Sequence, residues 1–174
     1  LGLVHRLDRN VSGVVVLART SKAASRLSRA FASRAVEKRY TALVVGQPVE
    51  RRELTDRLGP RAEGRGVERR PDGKEARLRF ERLVHTATHA ALEVELLTGR
   101  KHQVRAQLAL AGHPIYGDPL YGASVRSLRR PALHAHRLVF EHPVRKEPVT
   151  ALSPLPMALV HAARALGLPL GEQQ

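Results

Sequence analysis

The sequence predicts an α+β fold in which helices flank a mixed, mostly antiparallel sheet. Several short segments alternate apolar and polar residues, as half-buried strands do, whereas three others repeat apolar residues at helical spacing. The two kinds of segment do not alternate strictly, which argues against a sheet built from parallel βαβ units. With 174 residues, 43% of them hydrophobic, the chain is long enough for one domain, residues 1–174, with its own core.

The first part of the chain predicts a strand, a helix and a second strand. Residues 13–20 form a β-branched apolar run, and residues 21–34 carry apolar side chains on one helical face behind an N-cap at Thr20 or Ser21. Residues 38–46 alternate small apolar and polar side chains, which is typical of a half-buried strand.

The segment that follows predicts a long exposed loop. Residues 47–73 are rich in Arg, Gly, Glu and Pro and contain few apolar residues. Within this segment, the stretch RLGPRAEGRGVERR (57–70) is a candidate for contact with RNA, although exposure to solvent explains its charges equally well.

The remainder predicts two antiparallel strands, a helix, two further strands and a last helix. These elements cover residues 75–84, 89–97, 101–112, 132–140, 147–152 and 156–166. The helix at 101–112 buries Val104, Leu108 and Ala111, and Gly112 stands where helix C-termini favour glycine. Residues 113–122 (HPIYGDPLYG) have the wrong glycine spacing for a phosphate-binding loop, so we expect a tight turn that packs against this helix.

The composition points to a polyanionic partner. Thirty Lys and Arg against sixteen Asp and Glu leave a net charge of +14, which favours RNA or DNA, although an Arg-rich proteome would produce the same balance. The absence of Cys excludes disulfides and thiolate chemistry. No apolar run reaches the roughly 18 residues of a membrane span, so we expect a soluble cytoplasmic protein.

The stretch VHRLDRNVSG (4–13) places one carboxylate, Asp8, between Arg6 and Arg9. Such a carboxylate is commonly one half of a surface or structural ion pair. Neighbouring cations also favour its ionised form, which suits a nucleophile or a base. The residues by themselves leave both interpretations open.

A second cationic stretch, LLTGRKHQVR (96–105), surrounds the predicted start of the helix at 101–112. Backbone N–H groups at a helix start, together with Arg100 and Lys101, would face an anion there. Arg105 projects from the same helix one turn further on. The alternative is an ordinary basic and solvated helix start.

Tyr40 stands at the start of a strand whose inward face is otherwise small and aliphatic. A core tyrosine with a satisfied hydroxyl is the commoner explanation of such a residue. An aromatic ring at the edge of a basic cleft would instead stack on a displaced base.

Nine histidines raise the question of a metal site. His134 and His136 would share a strand face, and His85 and His89 form a second pair, but neither pair has a carboxylate at ligand-like spacing. We therefore predict no metal site.

The motifs together resemble those of the RluA-type pseudouridine synthases. HRLDRNVSG is similar to the signature H-R-L-D followed by T-S-G, and KRYTALVVG to the strand K-x-Y-x-A-x-V-x-G. LLTGRKHQVRAQLALAGHPIYGDPLYG is similar to the T-G-R-T-H-Q-I-R block with G-H-P-I-x-G-D-x-x-Y-G, and LHAHRLVFEHP to the L-H-A strand. The motifs occur in the family's order, from residue 3 to about residue 152.

The resemblance implies the pseudouridine synthase catalytic fold and the isomerisation of uridine to pseudouridine in rRNA or tRNA, without a cofactor. It implies that Asp8 is the catalytic aspartate, that Arg105 pairs with it, and that Tyr40 packs on the uracil and takes part in proton transfer. Arg6 would help to displace the target nucleotide, and Leu133 would be part of the apolar wall. The remaining expected RNA contacts are Arg100, Lys101 and His102.

The sequence departs from the family pattern at three positions, where Val11 replaces Thr, Lys101 replaces Thr or Ser, and Gln107 replaces His. These departures concern the subfamily and some of the RNA contacts. We expect a further half-sheet with an N-K-P-x-G loop to precede residue 1 in the family's fold, and the S4 domain of some members is not among these residues. We expect a monomer, and the rival hypothesis is a non-catalytic basic RNA-binding domain.

Overall fold

The computed structural model describes residues 1–122, 128 and 130–170. The strands are β1 (Gly2–Leu3), β2 (Ser12–Gly13), β3 (Leu17–Ala18), β4 (Glu37–Val45), β5 (Arg51–Pro60), β6 (Val67–Arg69), β7 (Lys74–His85), β8 (His89–Leu96), β9 (Leu133–Glu141) and β10 (Pro148–Leu152). The helices are α1 (Ser21–Ala32), α2 (Gln103–Leu110) and α3 (Met157–Ala165). None of these helices is both long enough and apolar enough to cross a lipid bilayer.

Eight of the strands form one sheet in the order β10-β9-β4-β8-β7-β5-β6, with β2 added beside β9. All neighbouring pairs in the described residues are antiparallel except β2 with β9, which is parallel. β1 and β3 form a separate two-stranded antiparallel ribbon. The predicted α+β class, with its mixed and mostly antiparallel sheet, is therefore confirmed.

The register of the central strands decides which side chains share a face. Val94 of β8 lies opposite Tyr40 of β4 and Phe80 of β7, so these three side chains point to one face. The next pairs along the strands, Arg39 with Glu95 and Arg79 with Glu95, point to the other face. We call the face of Tyr40 the cleft face and the face of Arg39 the outer face.

The predicted strand at residues 13–20 is wrong in its extent. The segment pairs first with β9 and then with β1, so only two short strands form, β2 and β3. Between them Val14 donates its N–H to Ala135 O, and Val16 donates to Nε2 of His5. The apolar run is nevertheless buried in part, because Val14 and Val16 pack against the core beneath α1.

The predicted loop at residues 47–73 is also wrong, because it contains β5 and β6. In β5 the side chains of Leu54, Asp56 and Leu58 are buried, while Glu53, Thr55 and Arg57 before and between them are exposed. The alternation escaped detection because its middle inward residue is an acid. Asp56 is accepted there because the guanidinium of Arg69 and the side-chain amide of Gln107 donate hydrogen bonds to it.

The other predicted elements are confirmed to within a few residues at their ends. Thr20 is the N-cap of α1 and accepts a hydrogen bond from Ala23 N. The predicted helix at 101–112 begins later, at Gln103, because His102 has a left-handed backbone with φ of 52°.

The main core lies among the sheet, α2 and α3. Its fully buried members from these elements include Leu43, Leu78, Leu92, Leu108 and Leu159. A smaller cluster joins α1 to β9, and a third lies between β5, β6 and α2. The three clusters fix the ends of β4 and α2 and the segment before β2 around one cleft.

Candidate active site

A cleft of about 610 Å³ opens where the segment before β2, the strand β4 and the start of α2 meet. Its described lining contains one carboxylate and several cationic groups. These charged residues are Asp8, Arg6, Arg9, Lys38, Arg100 and Lys101. Apolar side chains, among them Leu133 and Val104, form part of the wall. The cleft therefore combines a phosphate-attracting rim with a surface on which a base can lie.

A tight turn presents Asp8 to this cleft. Val11 N donates to Asp8 O over 3.0 Å, and Asn10 between them has φ of 66°, a left-handed conformation that Asn tolerates. Ser12 and Gly13 then pair with His134 and Ala135 of β9. The turn is consequently closed on one side by its own hydrogen bond and fixed on the other by a strand pairing.

Gly13 permits this pairing because it lacks a side chain. Its φ is 137°, and a Cβ atom there would come within 2.6 Å of Ala135 N and would overlap other atoms of that residue. The glycine of the S-G dipeptide therefore allows the segment to lie directly against β9.

His134 of β9 holds the segment around Ser12 and Gly13 through a hydrogen bond. It is almost completely buried, and its Nε2 lies 3.0 Å from Ser153 O, which accepts only, so Nε2 carries the proton and Nδ1 accepts from the Ser12 hydroxyl at 2.8 Å. Arg130 Nη2 donates to the same hydroxyl oxygen over 2.5 Å. Burial lowers the pKa of His134, which keeps the ring neutral in this network.

Arg105 reaches Asp8 from behind the cleft wall. Its Nη1 lies 3.8 Å from Asp8 Oδ2, while its Nε and Nη2 donate to Oδ2 and Oδ1 of Asp118 over 2.7 and 2.8 Å. The expected pairing of Arg105 with Asp8 is present as a long contact, and the bidentate partner is Asp118. This second carboxylate was missed by the sequence reasoning.

Asp118 belongs to the GDPLYG turn, and its side chain is fully buried. Its Oδ1 also accepts N–H groups from Leu120 and Tyr121. Burial by itself would raise the pKa of Asp118, but the hydrogen bonds from Arg105 and the backbone outweigh it and hold the pKa below its usual range. A signal was available in the sequence, since an arginine on a buried helix face needs a carboxylate partner.

Tyr121 connects this buried pair to the tip of the β5–β6 hairpin. The guanidinium carbons of Arg105 and Arg61 lie 5.2 and 5.1 Å from the centre of its ring. Its hydroxyl oxygen accepts from Val67 N over 2.7 Å and lies 3.1 Å from Nδ1 of His102. His102, whose backbone is left-handed, therefore contacts Tyr121 and also lines the cleft.

Tyr40 of β4 lines the cleft. Burial, followed by the charge of Asp8, raises the pKa of Tyr40 to about 12, so the phenol is protonated at neutral pH. Its hydroxyl has no hydrogen-bond partner in the described part of the chain, unlike that of a core tyrosine. The structure thus brings a proton-bearing phenol to the same space as the carboxylate.

The other residues singled out from the sequence also line the cleft: Arg6, Arg100, Lys101, His102 and Leu133. The expected set of free N–H groups at the start of α2 is corrected in part. Arg100 N donates to Oε1 of Gln103, the first residue of α2, so this N–H group is not free to bind an anion. The Arg100 side chain donates from Nε to Glu75 O, so its position is fixed by the neighbouring strand.

Gln107 lies in the interior and not in the cleft. It is fully buried and donates to Leu54 O, Ala76 O and Oδ2 of Asp56. The departure from the family pattern at this position therefore concerns the packing of α2 on β5 and β7.

The histidine pairs are placed apart from any cluster of ligands. His136 lies 3.3 Å from a carboxylate oxygen of Glu93, whereas His134 is committed to Ser12 and Ser153. Within residues 1–122, 128 and 130–170, no three His, Asp or Glu side chains converge as metal ligands. The metal-free site stays a prediction.

The fold and the sequence of this chain are similar to those of known proteins. The solved structure of human RNA pseudouridylate synthase domain containing 4 superposes with a TM-score of 0.82 at 26% identity, covering 97% of this chain and 77% of that one. The ribosomal large subunit pseudouridine synthase D of Xanthomonas campestris is 38% identical over 188 residues, 95% of this chain and 54% of that protein. An uncharacterized RNA pseudouridine synthase of Chloroflexus aurantiacus is 40% identical over 169 residues, 95% of this chain and 53% of that protein.

The fold is accordingly that of a pseudouridylate synthase domain. A family model described as RNA pseudouridylate synthase matches residues 1–110, and the chain belongs to this family. The resemblance noted from the motifs is confirmed. The chain spans about half the length of the curated relatives it matches.

Proposed function

We propose that this protein isomerises uridine in RNA to pseudouridine, with Asp8 as the catalytic carboxylate and without a cofactor. The observation that carries the proposal is the position of Asp8. It is the one carboxylate in the described lining of a cationic cleft, with Arg105 behind it and the Tyr40 ring in the same space. Membership of the RNA pseudouridylate synthase family supports the same reaction.

The reaction breaks the N1–C1′ bond of uridine, turns the uracil and joins C5 to C1′. C5 loses its proton and N1 gains one, so the change is an isomerisation that needs no oxidant or reductant. The carboxylate of Asp8 acts as nucleophile or base. As a nucleophile it bonds to C1′ while N1 leaves with the bonding pair, and C5 then attacks C1′ and releases the carboxylate.

The surrounding groups suit this role. Arg105 keeps a positive charge 3.8 Å from Asp8 and can orient its carboxylate. Because Asp118 takes two of the three guanidinium nitrogens of Arg105, the third remains for Asp8. Tyr40 offers a protonated hydroxyl and an apolar ring, which together can hold the detached uracil and move a proton.

The rim of the cleft suits an RNA substrate. A nucleotide must leave its stack before this chemistry can begin, at a cost of a few kcal/mol that is smallest in loops and bulges. Arg6, which lines the same cleft as Asp8, would occupy the vacated position. The hairpin tip with Arg61 and Arg65, which Tyr121 ties to the site, offers further cations for the RNA backbone.

We propose structured ribosomal or transfer RNA as the substrate. Large-subunit ribosomal RNA is the first to test, because the Xanthomonas relative is named for it. We further propose that the protein acts as a monomer in the cytoplasm, in keeping with its lack of cysteine and its basic character.

Tritium release from RNA that contains [5-³H]uridine tests the proposal, because the hydrogen at C5 is lost in the reaction. Asp8→Asn and Asp8→Ala should lower the rate at least about a thousandfold while the protein stays folded. Glu147→Gln is the matched control, because it removes an exposed acid that pairs with Arg145 away from the cleft. Its rate should equal that of the wild type.

Two outcomes would overturn the proposal. Turnover by Asp8→Ala at the wild-type rate would remove Asp8 from the mechanism. Tight RNA binding by the wild type without any tritium release from ribosomal or transfer RNA would favour the non-catalytic RNA-binding hypothesis.

A further inference from the structure

Lys38 lines the cleft two residues before Tyr40 on β4. Its backbone pairs with Leu138 of β9, and its ammonium group lies 3.6 Å from the point where a Cβ of Gly99 would stand. The ammonium group of Lys38 therefore lies beside Gly99, and both residues line the cleft.

The ammonium group of Lys38 has no hydrogen bond and no ion pair with any residue that the structure describes. Burial, and secondly the charge of Arg34, lower the pKa of Lys38. The other neighbour that interacts with it electrostatically, His5, is a hydrogen-bond acceptor from Val16 N and stacks on Phe31. No negative group of the described chain compensates this half-buried cation.

A structural role does not account for such a residue. Most buried cations in proteins are paired, because an uncompensated charge in a desolvated place is unfavourable. The neighbouring residue on the same strand follows this rule, since Arg39 donates to both Glu37 and Glu93. The missing partner of Lys38 is therefore expected to come from the ligand of the cleft.

We propose that Lys38 binds a backbone phosphate of the RNA, at the nucleotide whose base lies against Tyr40. This proposal rests on the proposed function, because it assumes that the cleft receives a displaced nucleotide. A strand advances about 3.3 Å per residue, so Lys38 and Tyr40 stand about 7 Å apart along β4. One nucleotide extends over a similar distance from base to phosphate.

With this proposal, the cationic side chains in and behind the cleft have different roles. Arg105 contacts the Asp8 carboxylate from behind the cleft wall, and the Arg100 side chain donates to Glu75 O. Lys38 would fix the sugar–phosphate part of the nucleotide while the base is detached and turned. A fixed sugar keeps C1′ within reach of C5 during that rotation.

The test is the salt dependence of RNA binding by Lys38→Met, Lys38→Arg and the control Lys22→Met. Lys22 is exposed on α1 and does not line the cleft. The probe is a fluorescein-labelled RNA hairpin with uridines in its loop, followed by fluorescence anisotropy from 50 to 300 mM salt. Loss of one phosphate contact to a single strand reduces the slope of log K against log salt by about 0.7.

We expect Lys38→Met to reduce the slope by about 0.7 and to weaken binding about tenfold or more at low salt. Lys38→Arg should keep the wild-type slope, and so should Lys22→Met. Replacement of single loop phosphates by neutral methylphosphonates identifies the contact, because the penalty of Lys38→Met should vanish for one linkage only.

An unchanged slope for Lys38→Met would overturn the proposal, and so would an equal loss for Lys22→Met. A lower melting temperature of Lys38→Met with unchanged RNA binding would show a structural role instead. A fall in kcat with unchanged KM in both Lys38 variants would show an acid or base and would also overturn it. The binding measurement does not depend on turnover, so a protein that binds but does not release tritium would contradict the proposed function while Lys38 is still tested.

Discussion

The two faces of the central sheet carry charge in opposite ways. On the outer face, Arg39 donates to Glu37 and Glu93 over 2.7 and 2.6 Å, and the pattern continues across neighbouring strands. Other pairs on this face are Arg77 and Arg79 with Glu53, and Arg137 with Glu37. On the cleft face, one residue away, Lys38 has no described partner. The cations of the outer face are paired with glutamates, whereas Lys38 in the cleft is not paired with any described residue.

This difference shows that the net charge of +14 is a weaker guide than the distribution of the acids. Five glutamates serve the outer face: Glu37, Glu53, Glu81, Glu93 and Glu95. The cleft has Asp8 only among its described lining. Under the proposed function, a polyanion would be attracted to the cleft side of the sheet, where Asp8 is the single acid of the described lining.

The largest expected effect concerns the buried pair behind the cleft. Asp118→Ala should reduce the free energy of unfolding by about 3–5 kcal/mol, because it leaves Arg105 buried without its bidentate partner. Urea denaturation measures this loss. The double variant Arg105→Met with Asp118→Leu should recover most of the stability but not the activity. Equal stability of Asp118→Ala and the wild type would contradict the structural role given to the pair.

Variants of Tyr121 and Tyr40 distinguish a structural role from a catalytic one. Tyr121→Phe removes the acceptor of Val67 N, so it should cost about 1–3 kcal/mol of unfolding free energy. Tyr40→Phe removes a hydroxyl without a described partner, so stability should change little. Tritium release should nevertheless fall about a hundredfold if the hydroxyl transfers a proton. Thermal unfolding and the release assay on both variants would separate these roles, and a Tyr40→Phe protein with full activity would refute the second.

The dependence of stability on pH should distinguish His134 from His136, both of which lie on β9. The pKa of His134 is lowered by burial, so the unfolded chain binds a proton more readily than the folded one. Stability should therefore fall as the pH drops below the ordinary histidine value of about 6.5, by at most about 1.4 kcal/mol per pH unit for one group. Urea midpoints between pH 7.5 and 5.0 measure it.

His134→Gln should flatten this dependence more than His136→Gln does. Burial also lowers the pKa of His136, but Glu93 of the outer face counteracts it in part. A larger effect of His136→Gln would mean that Glu93 does not compensate a proton on that ring.

The smallest effect is expected on the outer face. Arg39→Gln should change the unfolding free energy by no more than about 1 kcal/mol, because its ion pairs are partly exposed. The slope of RNA binding against salt should not change, in contrast to Lys38→Met. Arg39 is therefore the nearest matched control for Lys38 in the chain, and a reduced slope for Arg39→Gln would abolish the distinction between the two faces.

Most of the fold was predictable because the central elements follow simple periodicities. β4, β7, β8 and β9 alternate clearly, and α1 has a regular apolar face behind Thr20. β5 was not predictable from its own residues, because Asp56 on its inward side is made acceptable only by Arg69 and Gln107 from elsewhere in the chain. Strand pairing with two different partners likewise divided residues 13–20 in a way that no local pattern shows.

The site was predictable through its motifs and not through its interactions. Asp8, Tyr40 and Arg105 come together as their motifs imply. Asp118 was missed because its turn, GDPLYG, fits a purely structural role equally well. Lys38 was missed because a lysine at the start of a strand is ordinarily exposed, and only the assembled cleft shows that its ammonium group is unpaired.

The pairing of Gly13 with Ala135 determines where this loop tolerates mutation. The side chain of Asp8 is about a quarter exposed and its ion pair with Arg105 is long, at 3.8 Å, so its replacement should end activity and leave the protein intact. At residue 13 every other amino acid meets the backbone of β9 and needs a backbone angle that only glycine adopts readily. In a library selected only for folding, Asp8 should vary freely and Gly13 should hardly vary at all.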